Sequence, residues 1–298
     1  MGHLMSKFVD KIQQSILPSE KDWMDYLIQA HQNAPSMTPL AFADHVTKEG
    51  LNSYALLAQA CSPFKGQNCT VVDLACGDGY LISYLLEALG SQSKVIGIDI
   101  SDAELSIAKQ RFSAKANVSF IQTEAQNLTL IDQSVDLVFC HMALMLMLPI
   151  EPVIHQISRV LKSGGLFSAV VGRSAESGSF FSLVQGLSSE MVRSRFPNVK
   201  DVKSGDQRVF SEEGLRSLFK SDTAFSELQD VQEFDLQYNV VPADVWQLMK
   251  NMYFISMLPP SDQERLQDAT AELASRHVGS NGKVEFTFPM RKFTVTKK

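Results

Sequence analysis

At Thr70 the hydrophobic pattern changes from a helical period to short apolar runs alternating with helices, and no other feature constrains the fold as much. Residues 70–75 are apolar and residues 77–79 are turn-forming. Residues 80–89 then carry Leu81, Leu85 and Leu89 on one helical face and stop at Gly90. The unit recurs. Residues 94–100 read as a strand, and Ser101 with Glu104 spells a capping box opening a helix through Leu105, Ala108 and Phe112. Residues 118–122, 135–140 and 166–171 read as further strands, the last two separated by a helix over 151–161 that ends at Gly164 and Gly165. Strands that are apolar on both faces and joined by helical crossovers form a parallel sheet covered on both sides.

Outside this core the rhythm loosens. Residues 6–60 read as helical, with Trp23, Leu27 and Ala30 at i, i+4 and i+7, breaks at Pro35 and Pro39, and a second helix over 53–60. Residues 62–68, with Pro63 and Gly66, read as the loop into the sheet. After Arg173, helices are expected over 180–196, 211–219, 243–257 and 261–277, with strands over 228–238 and 283–295. The expected fold is α/β, a doubly wound, mostly parallel, seven-stranded Rossmann-like sheet with a helical N-terminal segment and helical insertions near the C-terminus. Three parts follow: a helical lid over 1–68, a cofactor-binding core over 69–175, and 176–298, which supplies substrate-pocket helices and completes the sheet. One catalytic domain accounts for the 298 residues better than two independent ones.

Charge narrows the partners. With 27 Lys and Arg against 33 Asp and Glu, the net charge is -6. No overall positive field exists to attract a phosphate backbone or anionic lipid, so a small molecule is expected rather than nucleic acid or membrane. The four cysteines, Cys61, Cys69, Cys76 and Cys140, lack CxxC spacing and the density of a secreted scaffold, as reduced thiols of a cytoplasmic protein without a metal site would. The start, MGHLMSKFVDK, has no signal-peptide apolar stretch, and the longest apolar run, 142–150, falls well short of the roughly 18 residues of a membrane span.

The first turn reads Val71-Val72-Asp73-Leu74-Ala75-Cys76-Gly77-Asp78-Gly79. Small residues at Ala75, Gly77 and Gly79 let the backbone pass close to a ligand, and the following helix aims its first amides at the same space. A glycine turn of this kind also serves dinucleotide enzymes, or simply packs tightly. Asp73 sharpens the choice, because a carboxylate at the end of the first strand accepts hydrogen bonds from a ligand ammonium but repels a pyrophosphate. Asp99 ends the second strand twenty residues past Gly79, the separation at which an acid reaches ribose hydroxyls at the switch point of such a sheet. The expected ligand carries a ribose and a cationic group. Either acid alone could instead be a helix cap.

The stretches VVDLACGDGYL, VIGIDIS, FIQTEAQNL, VDLVFCHMALMLM and ISRVLKSGGLFSAVV, in this order over about residues 69–173, closely resemble the class I S-adenosylmethionine-dependent methyltransferases. The likeness is strongest to the small-molecule branch that includes ubiquinone and menaquinone biosynthesis C-methyltransferases. It implies S-adenosyl-L-methionine as cofactor, with Gly77 and Gly79 shaping the loop around its methionine part, Asp73 below that loop, Asp99 on the ribose and Ile100 on the adenine. Glu124 and Ala125 take the place of the family's frequent Asp-Ala at the adenine edge, and Cys140 with His141 follows the fourth strand, facing the methyl donor. The sequence departs from the family at Ala75, where Gly is usual, and at Glu124. The Asn-Pro-Pro-aromatic tetrapeptide of amino-group methyltransferases is absent, which favours transfer to oxygen or carbon over nitrogen.

Methyl transfer is an in-line displacement in which the protein chiefly aligns the partners, and a base is needed only if the acceptor loses a proton. His141 is the candidate base, able at an ordinary pKa near 6.5 to take a phenol or acidic carbon proton. Lining the pocket or bonding the backbone is the plainer alternative. His155 is expected at the surface or in packing. Candidates for an apolar acceptor pocket are Trp23, Tyr26, His31, Phe42, Tyr54, Phe180, Phe181, Trp246, Met249, Tyr253 and Phe254, although helical spacing also makes them core residues. Tyr54 is placed to reach the cofactor carboxylate, and Arg173 or Arg208 to anchor a substrate anion. Two other classes stay open. A nucleotide-cofactor oxidoreductase needs a small residue where Ile82 stands, and a non-catalytic binding protein would keep the cofactor fold alone. The chain length does not fix the assembly, and a homodimer is compatible with it.

Overall fold

The computed structural model describes residues 6–221 and 224–298, so the expectation about the chain's first residues lies largely outside it. Its sheet contains β1 (Thr70–Leu74), β2 (Lys94–Asp99), β3 (Val118–Gln122), β4 (Val135–His141), β5 (Leu161–Gly172), β6 (Gln229–Val240) and β7 (Val284–Thr296) in the order β3-β2-β1-β4-β5-β7-β6. β1 pairs in parallel with both β2 and β4, β2 with β3, and β4 with β5, whereas β7 is antiparallel to β5. The chain therefore winds outward in one direction from β1 through β3 and in the other from β4. The switch between β1 and β4 opens a crevice at the carboxyl ends of these strands. This is the expected doubly wound, mostly parallel, seven-stranded arrangement.

Residues group into two compact units. One comprises Glu49–Arg173, Gly205–Phe234 and Met290–Lys298; the other comprises 6–48, 174–204 and 235–289. The expected boundary at residue 68 is displaced, because residues 49–68 belong with the sheet. Their helix Ser53–Ala58 continues directly into a 3-10 helix, Gln59–Phe64, which replaces the start of the expected loop and buries Cys61. The segment expected as one piece over 176–298 is divided between the two units.

The sheet unit is held by an apolar layer that includes Val72, Leu74, Val138, Cys140, Phe167, Ala169, Phe293 and Val295, all buried. Burying each such side chain contributes about 1.5–3 kcal/mol relative to exposure. Two local surprises have local causes. The helix Ile150–Val160 passes straight into β5, because Leu161 is already extended. Gly164 and Gly165 form an irregularity within that strand, where a Cβ on Gly165 would sit 2.9 Å from the Lys162 carbonyl and 3.0 Å from that of Asp136. The helix expected over 243–257 is broken into Pro242–Met249 and Tyr253–Ser256.

Candidate ligand site at the carboxyl ends of the strands

The turn after β1 is built from left-handed residues, with φ of 56° at Ala75, 52° at Gly77 and 78° at Gly79. Gly79 is required twice over, by its conformation as the cap of the helix Tyr80–Leu89 and by space, since a Cβ there would lie 2.9 Å from the Phe112 ring. The alanine at position 75 shows that the turn tolerates one methyl group at some conformational cost.

Asp99 ties this turn to the end of β2. One carboxylate oxygen accepts the Gly77 N–H at 2.8 Å and the other accepts the Ser101 N–H at 2.8 Å. Ser101 in turn caps the helix Asp102–Arg111 by accepting the Glu104 N–H. The end of β3 joins the same edge through the Thr123 N–H, which donates to the Asp99 carbonyl at 3.1 Å. Ile100 beside it is half-buried, Glu124 exposed and Ala125 buried in the core.

Asp73 occupies the bottom of the turn at 1% exposure, and its Oδ2 has no hydrogen-bond partner. Burial raises its pKa well above the usual carboxylate range, and the negative charges of Asp99 and Asp78 add to the rise. Asp78 is equally buried but provided for: Oδ1 accepts the Tyr80 N–H at 3.2 Å and Oδ2 accepts from the Arg111 guanidinium at 2.8 Å. That guanidinium also lies over the Tyr80 ring, 5.6 Å from its centre. Neither Asp78 nor Arg111 stood out in the sequence. An acid between Gly77 and Gly79, where a small neutral residue would serve the turn, was the available signal.

Tyr54 and His141 form the far wall, stacked with ring centres 3.9 Å apart. Ser53, which sequence reasoning missed, is hydrogen-bonded through Oγ to His141 Nε2 at 2.9 Å. It is held by the first turn of its helix, where Asn52 accepts the Ala55 N–H at 2.9 Å and donates from Nδ2 to the Tyr84 hydroxyl at 2.8 Å. Burial pushes the Tyr54 phenol up, and the charges of Asp78 and Asp73 push it further, which places its ring in the field of the same acids. Burial drives His141 down to about 3, so it is a neutral imidazole at pH 7 and not a base titrating near 6.5 as expected from its residue type. Cys140 is wholly buried in the core with its thiol pushed up to about 12, so it contributes a neutral wall and no thiolate.

The remaining candidates are mostly structural. In the second unit Trp23 and Tyr26 are fully buried and pack on Phe8, Trp23 also meets Tyr253 and Phe254, and His31 Nε2 lies 3.1 Å from the Tyr253 hydroxyl. Phe180 and Phe181 pack against Phe286, Phe42 against Phe288, and Trp246 and Met249 are buried. Arg208 is engaged by Asp206 at 2.6 Å and Glu151 at 2.5 Å, and Arg173 has Glu233 at 3.8 Å. His155 is exposed.

Comparison with known proteins bears on what this crevice belongs to. A family profile described as a methyltransferase domain matches residues 65–236, which is more than half of the chain and contains the turn, Asp73, Asp99, Arg111, Cys140 and His141. The chain belongs to this methyltransferase family. Demethylmenaquinone methyltransferase of Lactococcus lactis is 38% identical over 98 residues, covering 32% of this chain and 39% of that protein. Malonyl-[acyl-carrier protein] O-methyltransferase of Marinomonas is 35% identical over 95 residues, covering 32% of this chain and 35% of that one. The chain thus matches little more than a third of the length of these curated relatives. The crystal structure of the YcgJ protein from Bacillus subtilis shares the fold, with a TM-score of 0.56 at 17% identity over 83% of this methyltransferase-family chain and 98% of that one. Among the described residues no helix is long and apolar enough to cross a membrane.

Proposed function

We propose that the protein is an S-adenosylmethionine-dependent methyltransferase acting on oxygen or carbon of a small, partly apolar metabolite. The observation that carries this reading is Asp73: a carboxylate at 1% exposure, with one oxygen lacking any partner and two further acids beside it, makes a poor site for a diphosphate. A cationic ligand reverses that penalty. The residues present fit the cofactor. Asp73 and the turn at Ala75, Gly77 and Gly79 would take its methionine part, Asp99 the ribose hydroxyls, Ile100, Glu124 and Ala125 the adenine, and Tyr54 and Cys140 the walls. When bound, the cofactor supplies an electrophilic methyl group on a sulfonium. The chain's own contribution is alignment and exclusion of water, for which the buried Tyr54 and His141 rings are suited.

With a pKa near 3, His141 is a weak proton acceptor. Its role in this reading is therefore to line the acceptor side and hold a hydrogen bond, and it takes a proton only from an acceptor that is itself acidic. Two relatives, a ubiquinone/menaquinone biosynthesis C-methyltransferase and a malonyl-[acyl-carrier protein] O-methyltransferase, support oxygen or carbon as the target. The same reading assigns a cytoplasmic enzyme with a small-molecule partner, no nucleic acid or membrane, and room for a homodimer. Incubation with S-adenosylmethionine and a metabolite extract tests it. Formation of S-adenosylhomocysteine together with products 14 Da heavier is the expected result. Cofactor binding without turnover on any acceptor pool would leave a non-catalytic binding protein, and binding of NADH instead would indicate an oxidoreductase.

A further inference from the structure

Past His141 the backbone does something that the end of a strand does not require. Met142 has a φ of 53°, a left-handed conformation that glycine takes without cost and methionine does not. It is held from both sides. The Met142 N–H donates to the Val170 carbonyl at 2.8 Å, and the preceding His141 ring is fixed by the Ser53 hydrogen bond and the Tyr54 stack. A side chain carried at such a position points to a role in what it touches.

Strand register fixes the side of the sheet concerned. Asp73 on β1 pairs with Phe139 on β4, Phe139 with Ser168 on β5, and His141 with Val170, so Asp73, His141, Val170 and, two residues on, Gly172 share one face. Gly172 ends β5, at the carboxyl edge where ligands of such sheets bind. Its backbone is not left-handed, and a Cβ on it would make only ordinary contacts, with the Cε atoms of Met142 and Met145 at 3.8 Å each. Neither conformation nor crowding therefore calls for glycine here. The missing side chain leaves room on the face of Asp73 and His141, bounded by two thioethers. Met142 is half-buried, and Met145 is buried on the 3-10 turn Leu144–Leu146; both pack against the apolar layer.

We propose that Met142, Met145 and Gly172 form the wall that selects the methyl acceptor by shape, with Met142 as its specificity-determining residue. This rests on the methyltransferase reading and narrows it: the acceptor carries an apolar group beside the atom that receives the methyl. Unbranched thioethers with three rotatable bonds adapt to apolar groups of different outline, so the wall suits a set of related acceptors rather than one. A polar or charged group placed against it would lose its hydrogen bonds to water and gain none.

The wall can be altered in opposite directions. Met142→Gly removes a side chain and suits the left-handed backbone, whereas Gly172→Ala adds one methyl group in ordinary contact. Each intact chain is incubated with S-adenosylmethionine and a metabolite extract, methylated products are quantified by mass spectrometry, and S-adenosylhomocysteine affinity is measured by calorimetry. Met142→Gly should raise the ratio of bulkier to smaller products about tenfold, and Gly172→Ala should lower it by a similar factor, the usual effect of one methyl or methylene in an apolar pocket. Affinity for S-adenosylhomocysteine should stay within about twofold of wild type in both. A uniform change across all products, or an unchanged ratio in either folded variant, would overturn the proposal. So would failure of Met142→Gly to fold, because glycine fits that backbone and only a packing role could account for the loss. Absence of S-adenosylhomocysteine binding in the wild-type protein removes the methyltransferase reading itself; binding and turnover with an unmoved product ratio remove the wall alone.

Discussion

At the turn after β1, Asp73 is buried beside two further acids with one oxygen unbonded among the described residues, whereas at the β5–β7 edge Arg291 is buried with a carboxylate that also faces Arg173. Both positions lie at the carboxyl edge of one sheet, so their difference is not one of location. It lies in what the chain supplies. The arginine end has a half-exposed counterion, Glu233, which accepts from Arg291 and lies 3.8 Å from Arg173. In the acid cluster Asp78 is met by Arg111, whereas among the described residues Asp73 Oδ2 has no hydrogen-bond partner. A buried charge without a partner costs stability, and a chain retains it where a ligand makes good the loss. An acid without a hydrogen-bond partner at the turn suits the cationic nucleoside proposed for it.

The comparison can be broken at the acid end in graded steps. Asp99→Ala removes the acceptor of two backbone N–H bonds as well as the proposed ribose contact, so affinity for S-adenosylhomocysteine should fall about 100-fold by calorimetry. Asp73→Asn should cost about tenfold in affinity while raising the melting temperature by a few degrees, because it removes a desolvated acid. The pH dependence has a definite sign. The raised folded pKa of Asp73 contributes stability that is present below the ordinary carboxylate pKa and is lost as pH rises through the folded value; Asp73→Asn should abolish that loss. A variant that lost stability in step with affinity would mark Asp73 as a structural residue.

Arg111→Gln probes the compensated acid. Asp78 would then be buried without its cation, and cofactor affinity should fall three- to fivefold, or about 0.6–1 kcal/mol, through a loosened turn. The smallest effect is expected at His141. Its folded pKa of about 3 lies below the unfolded value near 6.5, so the stability it contributes is full above pH 6.5 and is lost as pH falls toward 3. His141→Gln should flatten that acid slope in thermal melts and leave no change near pH 6.5 in the rate profile. An inflection near 6.5 that vanishes in the variant would restore the histidine as a titrating base.

Much of this arrangement is legible along the chain. Periodicity marked the strands and crossovers, because a parallel strand buried on both faces is a continuous apolar run, and the turn glycines sit where the backbone must adopt left-handed conformations. The acids Asp73 and Asp99 stand out in the sequence because each is local to a strand end. What sequence could not carry were partnerships made by folding. Asp78 meets Arg111 33 residues away, Ser53 meets His141 88 residues away, and Arg291 meets Glu233 58 residues away. The same limit applies to the pKa of His141, which depends on burial contributed by distant segments. It applies also to Trp23 and Tyr26, whose spacing suits a core or a pocket alike and whose full burial makes them core.

Calorimetry of S-adenosylmethionine binding in buffers of differing ionisation enthalpy, from about pH 5 to about pH 8, addresses the acid cluster most directly. Burial raises the Asp73 pKa and a docked cation lowers it, so proton release on binding should be greater in the wild-type protein than in Asp73→Asn. Equal proton counts in the two proteins, or no binding at millimolar cofactor, would contradict it.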